Sequence, residues 1–348
     1  MNNLDLIEDL REYGRLDFGE WGQLLATFTD EDKKFAADLA RQIALEKFGN
    51  KIFIRGIIEF SNYCKNDCYY CGIRKGNKNC HRYRLDKDEI LSCCEAGYEY
   101  GFRTFVLQSG EDPFFTDEKM TEIVAAIKTA YPDCAVTLSI GERSAESYQK
   151  LYDAGADRFL LRHETAYPDH YGKLHPENMS WQNRMDCLKA LKKIGYQTGC
   201  GLMVGSPYQT LDALIKDMMF ISEFKPQMIG IGPFLPHKDT PMGGEKAGDV
   251  NLNLFLLSLC RIMLPNVLLP ATTALETAQK DARKQGVLAG CNVVMPNLSP
   301  LDVRRDYMLY NNKIAMDEGA YESLQSLRRN MAEIGYEVVV DRGDYGGR

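Results

Sequence analysis

The sequence predicts an α/β protein, a (β/α)8 TIM barrel with a helical N-terminal extension. Three observations predict it. Eight short runs rich in apolar and β-branched residues alternate with seven helical patterns, the rhythm of parallel βαβ units. A wholly helical stretch precedes the first run. Polar residues gather directly behind several runs, where such a fold places its chemistry. An open doubly wound sheet fits the same alternation, because a strand count does not decide closure.

Residues 1–50 read as helical throughout. In "TDEDKKFAADLARQIALEKFGN", Thr29 or Asp30 caps the start, acids fill the first turn, and Gly49 lies just past the end. The strand-like runs follow at 51–60, 103–108, 135–140, 158–163, 197–205, 227–233, 267–273 and 291–296. Helical patterns lie between them at 86–100, 116–131, 144–154, 180–194, 210–224, 249–263 and 277–288, several opening on Asp, Thr or Ser. The chain divides into an extension (1–50), a barrel (51–315), and a C-terminal helix and tail closing the barrel (316–348). No Pro/Gly/Ser-rich linker and no repeat of short period interrupts it.

Composition excludes several classes. The 348 residues are 45% hydrophobic and 26% charged, an ordinary globular balance. A formal charge of −7 argues against nucleic acid as a partner. No run approaches the length of a membrane span. The acidic, amphipathic start "MNNLDLIEDL" is unlike a signal peptide, so a cytoplasmic location is expected. Eleven cysteines, an odd number in a reducing compartment, do not make a disulfide framework. Cys93, Cys94, Cys187 and Cys260 in helical patterns, and Cys134, Cys200 and Cys291 in or beside strand runs, read as small buried hydrophobes.

Cys64, Cys68 and Cys71 are different. They stand in "SNYCKNDCYYCGIRKG", directly behind the first strand run. Structural zinc wants four ligands, commonly two separated pairs. Cys80 and His81 keep a zinc ligand from this loop open. A redox Cys-x2-Cys pair normally opens a thioredoxin-like helix. A four-iron cube on three thiolates would leave one iron vacant, and a vacant iron is a binding site. Four polar knots follow strand runs: Ser61-Asn62 just ahead of these cysteines, Gln108-Ser109-Gly110-Glu111-Asp112, Arg162-His163-Glu164-Thr165 and Thr272-Thr273.

Cys-x3-Cys-x2-Cys behind the first barrel strand resembles the signature of the radical S-adenosylmethionine (radical SAM) superfamily. The resemblance implies a barrel of radical SAM type and one [4Fe-4S] cluster on Cys64, Cys68 and Cys71, the catalytic and metal residues. S-adenosyl-L-methionine would chelate the fourth iron and be cleaved reductively to a 5′-deoxyadenosyl radical. Tyr70 matches the aromatic position that packs on adenine. Ser109, Glu111, Thr137, Arg162, Glu164 and Arg184 match further cofactor-contacting positions. An arginine fork suits a carboxylate and an acid suits an ammonium or ribose hydroxyl, although Arg162 and Glu164 would equally pair with each other.

The strings "RGIIEFSNYCKNDCYYCGIRKGNKNCHRYRL", "VLQSGEDP", "GADRFLLRHETAYPDHYGKL", "GIGPFLPHKDTP", "PATTA" and "CNVVMPN" are similar to the HydE family of [FeFe]-hydrogenase maturases. That similarity implies a substrate pocket floored by Arg55, Thr272, Thr273 and the Ala274 amide, lined by Met228, and closed by Tyr307 and Tyr310. It implies a small organometallic or amino-acid-like substrate, an electron donor such as ferredoxin or flavodoxin, and other hydrogenase maturases as partners. Methylornithine synthase and biotin synthase share the architecture and supply the alternative, a radical enzyme for a small amino-acid-like substrate. Two departures stand out. The C-terminal stretch lacks the cysteines that hold a second cluster in some relatives, and His175 stands in "KLHP" where the family pattern has an arginine.

Overall fold

The computed structural model describes residues 2–314 and 316–346. The division expected at 315 falls on a residue outside them. Three helices open the chain: Asn3–Tyr13, Phe18–Thr27 and Asp30–Phe48. Each starts with a reciprocal capping box, Asn2 with Asp5, Asp17 with Glu20, and Thr29 with Asp32. Their apolar faces bury Leu10, Trp21, Leu24 and Ala40 against helices Leu211–Phe224 and Val250–Met263. Phe28 stacks on Phe255 with ring centroids 4.7 Å apart.

The strands are β1 (Lys51–Ile54), β2 (Gly56–Ser61), β3 (Thr104–Ser109), β4 (Ala135–Ser139), β5 (Arg158–Leu160), β6 (Gln197–Cys200), β7 (Met203–Val204), β8 (Met228–Ile229), β9 (Gly232–Pro233), β10 (Val293–Val294) and β11 (Glu337–Val339). All pairings between these strands are parallel, and the longest sheet runs β2-β3-β4-β5-β6-β8. Bridges Met228–Leu268, Pro270–Val293 and Ile57–Asn297 carry the ring on to β10 and back to β2. The barrel is closed, so the open-sheet alternative is set aside.

Four expectations need correction. The run at 267–273 forms only the bridges at Leu268 and Pro270. Pro270 has no N–H to give a ladder, and Thr272 turns away to cap the next helix. The runs at 197–205 and 227–233 each break into two short strands around Gly201-Leu202 and Gly230-Ile231. The pattern at 277–288 is two helices, Thr273–Ala278 and Ala282–Leu288, parted where Asp281 takes φ 64°. A further helix, Pro168–Leu174, follows β5 with proline at its first position.

The first barrel strand changes neighbours at Arg55. On one side Phe53, Arg55 and Ile57 donate without interruption to the carbonyls of Asn292, Val294 and Pro296. On the other side β2 pairs with β3, while β1 pairs with β11, which follows helix Ala320–Ala332. The segment after β11 then enters the base of the barrel. There the Arg158 guanidinium donates to the carbonyls of Arg342 (2.9 Å) and Gly343 (3.2 Å) and to the Asp344 carboxylate (2.6 Å).

Candidate functional site

The three cysteines lie together, half-buried, on the loop between β2 and helix Lys87–Glu99, at the rim where the strands end. Asn62, from the polar knot behind the first strand run, and Arg82, which the sequence reading passed over, hold this loop. Asn62 donates to the carbonyls of His81 (2.6 Å) and Asp306 (2.7 Å) and accepts from the Tyr83 amide (2.9 Å). Arg82 lies within the loop and donates to the carbonyls of Asn62, Ile73 (2.8 Å) and Arg74 (2.6 Å). A single polar residue within a loop is a weak signal, which is why Arg82 did not stand out. Gly110 brings β3 against the loop: a Cβ there would meet Tyr63 O at 2.3 Å and Cys64 Cβ at 2.8 Å. Gly72 donates to Leu309 O (2.9 Å), and a Cβ there would lie 2.1 Å from Met308 O. The segment carrying Tyr307 and Tyr310 thereby rests on the cysteine loop.

Burial raises the pKa of all three thiols, Cys68 far up and Cys71 to about 12, and their mutual proximity adds to Cys68 and Cys71. Such thiols surrender their protons to a metal rather than to solvent. Cys80 sits apart. It contacts Asn62 Nδ2 at 3.5 Å, while the exposed His81 pairs with Asp306 at 2.8 Å. Among the described residues no three His, Cys, Asp or Glu side chains converge as a single ion requires, so the four-ligand zinc set is not assembled. The seven cysteines expected to be small hydrophobes are all buried.

A belt of charge faces the cysteines. Arg162 and Glu164 pair bidentately at 3.0 and 2.6 Å, and the electrostatic neighbours of Tyr70 include Glu164, Cys68, Arg162 and Arg184. Burial works against both charges of the pair, but each partner outweighs it, raising Arg162 and holding Glu164 below its ordinary value. Glu164 also takes φ 63°, a left-handed conformation costly for a side-chain-bearing residue, and its amide is held by Gly201 O at 3.1 Å. Arg184 pairs with Glu142 and donates to Arg162 O at 2.7 Å. Glu142 was missed by the sequence reading, although its place just behind β4 was the available signal. Glu111 pairs with Lys65 (3.2 Å) and accepts from the Glu142 amide (2.9 Å). Asp112 ties Ser61 (2.6 Å) to Arg84 (2.6 and 2.9 Å) instead of capping a helix.

This structure passes one test of fit for a polar, zwitterionic cofactor. Thr137 is 2% exposed and its hydroxyl has no hydrogen-bond partner, an unmet need of the kind a bound ligand answers. Ser109 spends its hydroxyl only on its neighbour Gly110 O (2.7 Å). The Tyr70 hydroxyl meets His175 Nε2 at 3.2 Å, and its ring joins a small apolar group with Met203, Phe234 and Met242.

Deeper in the barrel, Arg55 is 3% exposed with two of its nitrogens unpartnered; its third donates to Met228 Sδ at 2.9 Å. Burial and the nearby Arg158 push its pKa well down. Thr272 caps helix Thr273–Ala278 by accepting from Leu275 N (3.2 Å), with Ala274 in the first turn. Thr273 lines a cavity of about 250 Å³ with Ile57, Glu59, Asn297 and Lys313. Glu59 is buried there between Lys313 (2.5 Å) and Asn297 (2.8 Å). An acid in the apolar run "IIEFS" was the overlooked sign of it. Tyr307 is buried, with its backbone carbonyl accepting from Lys313 (3.1 Å), and burial raises the pKa of both Tyr307 and Tyr310.

Comparison with known proteins follows the same lines. Residues 58–221 match the Radical SAM superfamily profile. The chain is 47% identical over 280 residues to the [FeFe] hydrogenase maturase subunit HydE of Thermotoga maritima, covering 80% of each. It is 28% identical over 312 residues to 3-methylornithine synthase of Methanosarcina acetivorans, covering 86% of this chain and 87% of that one. Among solved structures, methylornithine synthase (PylB) superposes with TM-score 0.82 at 25% identity, over 96% of this chain and 97% of that one. The hydrogenase maturase HydG superposes with TM-score 0.80 at 20% identity, over 96% and 75%, a likeness of fold.

Proposed function

We infer the function from one premise: the chain belongs to the radical SAM superfamily and, within it, to the HydE family. It is a SAM-dependent iron–sulfur enzyme of [FeFe]-hydrogenase maturation. The observation that carries the reading is the trio Cys64, Cys68 and Cys71 at the barrel rim, opposite the Arg162–Glu164 and Arg184–Glu142 pairs.

When bound, a [4Fe-4S] cluster and S-adenosyl-L-methionine supply one-electron cleavage of the sulfonium and a carbon-centred radical. This chain's own residues do the rest. Cys64, Cys68 and Cys71 hold the cluster. Arg162, Glu164 and Arg184 supply a fork and a carboxylate for the zwitterion. Tyr70 offers a face for adenine, and Ser109, Glu111 and Thr137 offer polar contacts. Arg55, beside Met228, gives an unpaired cation for an anionic group on a small sulfur- and iron-containing substrate. Thr272, Thr273 and the Ala274 amide would add donors for the same group, and Tyr307 and Tyr310 would shield the pocket from water. An electron donor such as ferredoxin or flavodoxin, partner maturases and a cytoplasmic location belong to the same proposal. No helix among the described residues is long and apolar enough to cross a membrane.

Anaerobic reconstitution tests it. The wild-type chain should hold a four-iron cluster whose paramagnetic signal changes when S-adenosylmethionine is added, and Cys68→Ala should lose both. A Cys68→Ala protein that keeps a full cube and cleaves the cofactor would sink the assignment. Consumption of lysine together with the cofactor would shift the reading to the methylornithine synthase reaction, which the lower identity does not favour.

A further inference from the structure

We propose that the Tyr171 hydroxyl is a further contact of this site, donating a hydrogen bond to an anionic group held between Cys68 and Arg184. The proposal rests on the cluster-and-cofactor reading above. Tyr171 is 1% exposed, and its hydroxyl has no hydrogen-bond partner among the described residues. A buried hydroxyl left unbonded costs about 1–3 kcal/mol, so a fold keeps one where something else completes it. The charged neighbours that act on this phenol are Arg184, Glu142, Cys68 and Glu164, the heart of the belt facing the cysteines. Arg184 donates to Glu142 and the Arg162 carbonyl, and no hydrogen bond joins it to the hydroxyl.

The phenol is also firmly aimed. Tyr171 sits on helix Pro168–Leu174 and stacks on His175, with centroids 4.0 Å apart and planes 26° from parallel. His175 Nδ1 lies 3.0 Å from the Tyr171 carbonyl, which only accepts, so the proton is on Nδ1. Nε2 of the neutral ring must then accept, and the Tyr70 hydroxyl donates to it at 3.2 Å. Tyr70, His175 and Tyr171 therefore form one wall, with Tyr70 spent on His175 and Tyr171 left to face the ligand. An arginine at 175, as in the family pattern, would offer Tyr70 no acceptor.

Two ligands share the required chemistry: a sulfur on the cluster side at Cys68, or the carboxylate of the cofactor. Tyr171→Phe removes only the oxygen and keeps the stack. Reconstituted protein should keep wild-type iron and sulfide content. If the partner is a sulfur, the reduction potential without S-adenosylmethionine moves negative, because a bond that stabilises the reduced cluster is lost. If the partner is the carboxylate, that potential stays and the affinity for S-adenosylmethionine, measured by calorimetry, falls about tenfold. Unchanged potential and affinity overturn the proposal, as does a variant that cannot hold the cluster, which would make Tyr171 structural. Failure of the wild-type chain itself to hold a cluster would instead overturn the reading beneath.

Discussion

Two buried arginines share the barrel interior and are treated in opposite ways. Arg158, at the base, bonds Thr104 (2.9 Å), Gln197 (3.2 Å), two tail carbonyls and Asp344, and is fully enclosed. Arg55, close enough to feel the Arg158 charge, has only a methionine sulfur for a partner. The first is a finished structural joint. The second is a desolvated cation awaiting an anion. The difference teaches that this fold completes the hydrogen bonding of one buried arginine and withholds it from its neighbour, where a ligand would complete it.

Four experiments break or sharpen that contrast. The largest effect belongs to Arg158→Met, which leaves two tail carbonyls unpaired and Asp344 with only Arg342 and Gln197, and should cost about 3–5 kcal/mol in denaturant unfolding. A loss below about 1 kcal/mol would mean that the base is not held in this way. Next comes His175. Burial holds it to about 4, below its ordinary 6.5, so the unfolded chain takes up a proton that the folded chain refuses. Wild-type stability should fall as pH drops from about 6.5 toward 4, by about 2 kcal/mol at pH 5, a slope that His175→Gln removes. Midpoints of unfolding at pH 7 and pH 5 measure it.

Asp344→Asn should cost about 2 kcal/mol at pH 7. Burial opposes the Asp344 charge, but Arg158 and Arg342 outweigh it and hold its pKa below the ordinary 3.8. The stabilisation is therefore complete above about pH 3.8 and is lost as pH falls through the depressed value, where wild type and variant should converge. Arg55→Met should have the least effect on stability, within about 0.5 kcal/mol or slightly stabilising, since no ion pair is broken. The same variant should lose retention of an anionic substrate. Retained substrate affinity would remove Arg55 from the pocket floor.

Much of this was legible in the chain. The cysteine spacing and the polar knots behind the strands are local patterns, and the fold places them at one rim. What escaped depends on distant partners. The stretch after 316 was expected as a helix and tail only, yet "EVVV" holds a strand, whose place beside β1 follows from the change of neighbours at Arg55, nearly three hundred residues earlier. The seventh strand looked regular in hydropathy, while Pro270 spoiled its ladder. Tyr171 lies in a short helix that ends just before His175, with no periodic sign of a site, and only the enclosed, unbonded hydroxyl reveals it.

The seam that β11 and the following residues close has a temporal side. During synthesis every barrel strand emerges before the piece that fits between β1 and the base. A nascent chain thus holds eight staves with the bottom still open, exposing Phe53 and Arg158 to the medium. Pairing elements so far apart along the chain is slow to nucleate. The last stitch, rather than the barrel itself, sets when the inner chamber becomes dry.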